Sequence, residues 1–184
     1  MIAVPDPAAA VTTRKHHVIQ GEHAVSNEPG LLFTTVLGSC VSACLHDPER
    51  RVGGMNHFLL ANGADGERVT EDLMRYGAYA MEVLINDLMQ RGARRECLEA
   101  KIFGGAKMID GLHDVGAANA VFARRFLADE GIPIISASLG GRQARRVEFW
   151  PATGRARQRE VESATPLREV RQPAVAIGND VEFF

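Results

Sequence analysis

Asp47-Pro48-Glu49-Arg50 separates two apolar runs and turns the chain back on itself, which commits this stretch to antiparallel β-structure. Pro48 suits the second position of a type I turn, where its fixed φ is the one required. Before it, Val41-Ser42-Ala43-Cys44-Leu45 reads as a buried strand; after it, Val52 to Leu60 reads as the returning strand. With Pro48 and Glu49 as the two turn residues, Asp47 faces Arg50, Cys44 faces Gly53 and Cys40 faces His57. Directly opposed residues share a face, with Cβ atoms about 4.5–5.5 Å apart. The hairpin therefore predicts a thiol–imidazole contact. A cysteine is a nucleophile only as thiolate, and a neighbouring imidazole is the usual means of making one at neutral pH. Register decides the matter, because a one-residue bulge at Gly53-Gly54 would turn His57 to the other face.

The remaining pattern is a mixture of strands and two helices. His16 to Val25 predicts a first strand, with a turn at Asn27-Glu28-Pro29-Gly30, and Leu31 to Val36 a second. Asn62-Gly63-Ala64-Asp65-Gly66 is a loop. Thr70 is a plausible N-cap, followed by Leu73, Met74, Ala78, Met81, Leu84, Ile85, Leu88 and Met89 at helical spacing, with Gly92 as the stop. Leu98 to Phe103 is a strand running into Gly104-Gly105. A second helix over 116–129 buries Val121, Phe122 and Phe126 and ends at Gly131. Strands follow over 133–139, 145–150 and 155–161, the last two flanking the turn Pro151-Ala152-Thr153-Gly154. The order is not a repeated βαβ, which favours an α/β domain of the α+β type, with helices packed on largely antiparallel sheet. The domain is expected over 15–162, between a Pro/Ala-rich, disordered extension at 1–14 and a polar tail at 163–184.

Composition excludes several classes. A formal charge of −2 gives no basic footprint for nucleic acid, and no apolar run approaches bilayer length. Three cysteines without disulfide-framework spacing favour a reducing, cytoplasmic setting. Cys40, Cys44, His46 and His57 hold the residue types of a zinc set, but Cys40 and Cys44 lie about 13 Å apart on a strand, at ~3.3 Å per residue. Neither a metal nor another cofactor is expected, and Cys44 and Cys97 read as structural. His23 and His113 lack partners and read as surface residues.

Thr34-Thr35-Val36-Leu37-Gly38-Ser39-Cys40-Val41 together with Gly53-Gly54-Met55-Asn56-His57-Phe58-Leu59-Leu60 closely resembles the chemoreceptor glutamine deamidase family CheD. Arg75-Tyr76-Gly77, Ala100-Lys101-Ile102-Phe103-Gly104-Gly105-Ala106, Gly116-Ala117-Ala118-Asn119 and Gly140-Gly141 fall where that family has similar segments. The resemblance implies packed sheets and helices, a fold related to the cytotoxic necrotizing factor deamidases. It implies hydrolysis of selected glutamine side chains on methyl-accepting chemotaxis receptors, giving glutamates. It also implies a catalytic triad of Cys40 as nucleophile, His57 as base and Thr34 as orienting group, and CheC as a partner. A non-catalytic role in regulating the CheC phosphatase is the alternative.

Strand alternation allows only one of Thr34 and Thr35 to serve the imidazole; the motif position, six residues before Cys40, selects Thr34. Gly38 and Ser39 shape a turn whose N–H groups, with that of Cys40, suit an oxyanion. Gly104, Gly105, Gly140 and Gly141 are candidates for lining the substrate cleft. The arginines at 142, 145, 146, 155, 157 and 159 read equally as a face for acidic receptor helices and as a solvated strand face. Three positions depart from the family's usual pattern. Ser138 replaces its Asp, Ala144 its Gly before Arg145, and Ala61 its Pro after Leu60.

Overall fold

The computed structural model describes residues 13–60, 71–108 and 114–161. Strands β1 (Arg14–His17), β2 (His23–Ser26), β3 (Leu31–Leu37), β4 (Val41–Asp47) and β5 (Val52–Asn56) precede helix α1 (Glu71–Gln90). Strand β6 (Glu99–Gly104), helix α2 (Val115–Asp129) and strands β7 (Ile134–Leu139), β8 (Ala144–Trp150) and β9 (Arg155–Val161) follow. They form a four-stranded sheet of order β1-β3-β8-β9 and a five-stranded sheet of order β2-β5-β4-β6-β7. All pairings are antiparallel except β1 with β3 and β6 with β7.

Two apolar layers hold the three tiers together. Phe33, Leu37, Cys44, Met55, Phe103, Val147 and Phe149 meet between the sheets. On the opposite face of the five-stranded sheet, Val41, Leu45 and Phe58 pack against Met81, Leu84, Ile85 and Leu88 of α1 and Phe122 and Leu127 of α2. Phe58 meets Phe122 edge-on at 5.8 Å between ring centroids, a geometry worth about 0.5–1.5 kcal/mol beyond area burial. This is the α+β arrangement expected from sequence, with both helices on one side of packed sheets.

The details differ in four places. The run 16–25 is not one strand: β1 joins one sheet and β2 the other, and the chain crosses at Gly21, whose φ is 88°. Val121 is exposed, because Gly116, Asn119, Phe122, Ala123 and Leu127 form the buried stripe of α2. His23 is not unpartnered; its Nε2 lies 3.0 Å from Asp87 Oδ2 on α1. The β4–β5 connection is a four-residue turn rather than the two-residue one. The Asp47 carboxylate accepts the N–H groups of Glu49 and Arg50 on one oxygen and that of Arg94 on the other. It wraps the chain so that Arg51 takes φ 55° and Val52, not Arg50, pairs with Asp47. The loop 62–66, Thr70, His113 and the tail from 163 lie outside the described residues, as does the N-terminal extension up to residue 12.

Candidate active site

The even shift in the hairpin moves partners without changing faces. Cys44 pairs with Met55, and an isolated bridge joins Val41 to Phe58 through N–H···O bonds of 3.0 Å in both directions. Cys40 and His57 each precede one of these bridged residues, so they are diagonal rather than directly opposed. Diagonal positions are roughly 7–8 Å apart at Cα, within reach of longer side chains. Both keep the face of Cys44 and Met55, the inter-sheet side. Between the bridge and the regular ladder, the strands part. Ala43 N–H donates to the side-chain oxygen of Asn56 at 2.9 Å, and His57 instead exchanges backbone bonds with Gly21 and Glu22. Asn56, fully inserted, opens the ladder beside the imidazole.

His57 is 7% exposed, and its ring meets the other sheet. Nδ1 lies 2.9 Å from Thr35 Oγ1 and 3.4 Å from the Val18 carbonyl, while the Thr35 hydroxyl donates to that carbonyl at 2.7 Å. A carbonyl only accepts, and the single threonine hydrogen is already committed to it. The pattern therefore puts the ring proton on Nδ1 and a lone pair on Nε2. Nε2 is buried without a partner among the described residues. Burial holds the ring below its ordinary pKa, against the raising effect of the Val18 carbonyl.

Thr34 does not orient this ring. Among the described residues its hydroxyl is buried without a partner, its carbonyl accepts the Val18 N–H at 2.9 Å, and its register partner is Glu148 on the outer face of the sheet. Phe33, Thr35 and Leu37 take the inner face, so alternation assigns the imidazole to Thr35. We expect Thr35→Val to lower turnover about tenfold, the worth of one ordinary hydrogen bond, because the Val18 carbonyl still holds Nδ1. Thr34→Val should leave turnover unchanged. Steady-state rates of the two variants on one substrate make the comparison.

The Cys40 thiol is half-buried at the rim. Burial pushes it up to about 11, its own backbone N–H acting in the opposite sense. Burial of both groups favours thiol and neutral imidazole over the ion pair, and the contact that the hairpin predicts is not a hydrogen bond among the described residues. The thiol donates instead to Gln20 Oε1 at 3.5 Å.

The turn carrying the thiol is clamped from below. Ala106 N–H, Asn119 Nδ2 and Gly105 N–H donate to the carbonyls of Gly38, Ser39 and Cys40 respectively, each at 2.8 Å. Each carbonyl belongs to a planar trans peptide whose N–H points the opposite way. The N–H groups of Ser39 and Cys40 are therefore turned away from the clamp, where an oxyanion can take them. Gly104 and Gly105 form part of this clamp: a Cβ on Gly104 would lie 2.1 Å from the Cys40 carbonyl oxygen. Gly105 also lines, with Gly140 and Gly141, a groove of about 310 Å³ that includes Lys107 and Arg124.

Asn119 was not singled out from sequence. It is fully buried and joins the two halves of the site, donating to Ser39 O and accepting the Leu60 N–H at 2.8 Å. Its sequence signals are an amide on the apolar face of a helix and its place in the family-like segment Gly116-Ala117-Ala118-Asn119, neither of which gives it a role. The arginine run also divides. Arg145 is buried and donates to Ser138 O at 2.8 Å, to Ser138 Oγ at 3.0 Å and to Gly140 O, bracing the 138–141 loop. Arg157 pairs with Glu148, and Arg155 lies over the Trp150 ring.

Sequence comparisons define the class. The family model CheD, described as CheD chemotactic sensory transduction, matches residues 59–160. The chain belongs to the CheD family. A probable chemoreceptor glutamine deamidase CheD of Caulobacter vibrioides (strain NA1000 / CB15N) is 62% identical over 97% of this chain and 96% of its own length. One of the same name from Agrobacterium fabrum is 50% identical over 93% and 97%. Among solved structures, Bacillus licheniformis hypothetical protein YfiH aligns at TM-score 0.42 and 16% identity, over 70% of this chain and 60% of that one.

Proposed function

We propose that this protein is a chemoreceptor glutamine deamidase that works by a Cys40–His57 thiol mechanism. The observation that carries the reading is the imidazole: buried, tied at Nδ1 and left with Nε2 unpartnered among the described residues, on the face that carries the thiol. A receptor glutamine presents its carboxamide at the rim. As sulfur attacks Cδ, Nε2 takes the thiol proton, so the thiolate need exist only during attack. The N–H groups of Ser39 and Cys40 receive the developing oxyanion; removal of one such donor typically costs about 2.7–4 kcal/mol. Ammonia leaves with the proton from Nε2. Water, deprotonated by the same nitrogen, then hydrolyses the thioester.

No described helix is long and apolar enough to cross a membrane. Incubation with a receptor cytoplasmic fragment, followed by peptide mass spectrometry, tests the reading. Selected glutamines should gain the mass difference between amide and acid, while free glutamine releases no ammonia. An unchanged fragment would overturn the assignment; rapid hydrolysis of free glutamine would reassign the protein as a small-molecule amidase.

A further inference from the structure

Gln20 places a primary carboxamide, the chemical group of the proposed substrate, on the sulfur of Cys40. The contact comes from a fixed platform. Residues 19–22 form a tight turn in which Glu22 N–H donates to Ile19 O at 3.0 Å and the Glu22 carboxylate accepts Ile19 N–H at 3.2 Å. Gly21, at φ 88°, occupies the third position, where a type II turn requires a residue of positive φ, and Gln20 takes the exposed second position. The turn is fastened to the imidazole's own backbone: Gly21 N–H donates to His57 O at 2.8 Å, and His57 N–H to Glu22 O at 3.0 Å. Val18, two residues before Gln20, supplies the carbonyl at Nδ1. One short segment thus orients the base and delivers an amide to the nucleophile, with only the Gln20 side-chain torsions left free.

We propose that Gln20 is a substrate in cis, deamidated to glutamate by Cys40 of the same chain; this rests on the deamidase reading above. Sulfur bonds to Gln20 Cδ as His57 Nε2 takes the thiol proton. The C–N bond then breaks, and ammonia departs with that proton, leaving a Cys40–residue 20 thioester. Water adds at the thioester carbon, the C–S bond breaks and sulfur recovers a proton. The sum is amide plus water giving acid plus ammonia, with no further reagent. Holding the two groups in one molecule replaces a bimolecular encounter by an effectively unimolecular step, worth up to about 10⁵–10⁸ M in effective concentration when alignment is good. The product carboxylate beside sulfur would oppose thiolate formation, so the modification also lowers the reactivity of the site that makes it.

Full-length wild type and Cys40→Ala, held at neutral pH in water enriched in heavy oxygen, with a receptor cytoplasmic fragment in the same tube, provide the test. Peptide mass spectrometry should find residue 20 converted to labelled glutamate during the incubation, or already glutamate at purification, in wild type alone. The rate should not depend on protein concentration. The exposed glutamines Gln90, Gln143 and Gln158 should keep their amides in both proteins. Three results overturn the proposal: wild type that deamidates the receptor fragment yet keeps the Gln20 amide, equal conversion in Cys40→Ala, or a rate that rises with protein concentration. If neither the fragment nor Gln20 is converted, the deamidase reading fails and this one with it.

Discussion

Cys40→Ala will fold normally and release no ammonia from a receptor fragment, whereas His57→Ala will keep its thiol and lose about 10²–10⁴-fold in turnover, the usual worth of a positioned general base. The first substitution removes only a sulfur atom at a half-buried rim position, so circular dichroism should be unchanged. The second removes the proton acceptor that a thiol at about 11 requires. The pH dependence separates this mechanism from a preformed thiolate–imidazolium pair. In the proposed mechanism the base is neutral imidazole, and burial lowers its pKa, so the acid limb of turnover should fall below the ordinary histidine range of about 6.5. Alkylation of Cys40 by iodoacetamide should be slow at neutral pH and climb through the alkaline range, since the thiol itself must ionise there. Fast alkylation at pH 6 would contradict the neutral resting pair.

How much of this was legible depended on the distance in sequence between the interacting groups. The period-two alternation that puts Cys40, Cys44, Met55 and His57 on one face is local, and it survives a register change of two residues. The register does not follow from the hydrophobic pattern, because that pattern cannot show a carboxylate gathering amides. Asp47 accepts from Glu49, Arg50 and distant Arg94, and so lengthens the turn. The choice between Thr34 and Thr35 required knowing which face of β3 meets the other sheet, and that is settled by Phe33, Leu37 and Val147 packing across the interface. Asn119 acts on Ser39 across 80 positions, beyond any periodicity argument. Gln20 on Cys40 arises from β1 and β2 entering different sheets, where the sequence reads as one continuous strand. The local rules thus locate the chemistry, and long-range polar contacts decide its geometry.

Gly104→Ala should be more damaging than any other single methyl added to the described glycines near the site. At φ 109° an L-residue is strained, at about 1–2 kcal/mol. The added Cβ would also lie 2.1 Å from the Cys40 carbonyl oxygen and 3.2 Å from Val41 Cα. Both neighbours are backbone, so no side chain can swing aside, and overpacking of this kind adds about 1–3 kcal/mol. At roughly 2–4 °C per kcal/mol for a chain of this size, the Tm should fall by about 4–20 °C. Gly131→Ala is the control: its φ is 69°, and no atom of the described residues lies within 4 Å of the added carbon. It should suffer the conformational strain alone and keep full turnover. Gly104→Ala cannot, because relief of the clash pushes the Cys40 carbonyl away from the Gly105 N–H that holds it at 2.8 Å. The two outward N–H groups move with it, and a displacement of about 1 Å at a reacting centre can cost 10²-fold. Turnover measured well below the lowered Tm, where the variant is still folded, should therefore drop at least that far. Full activity at that temperature would show that the glycine clamp serves stability alone.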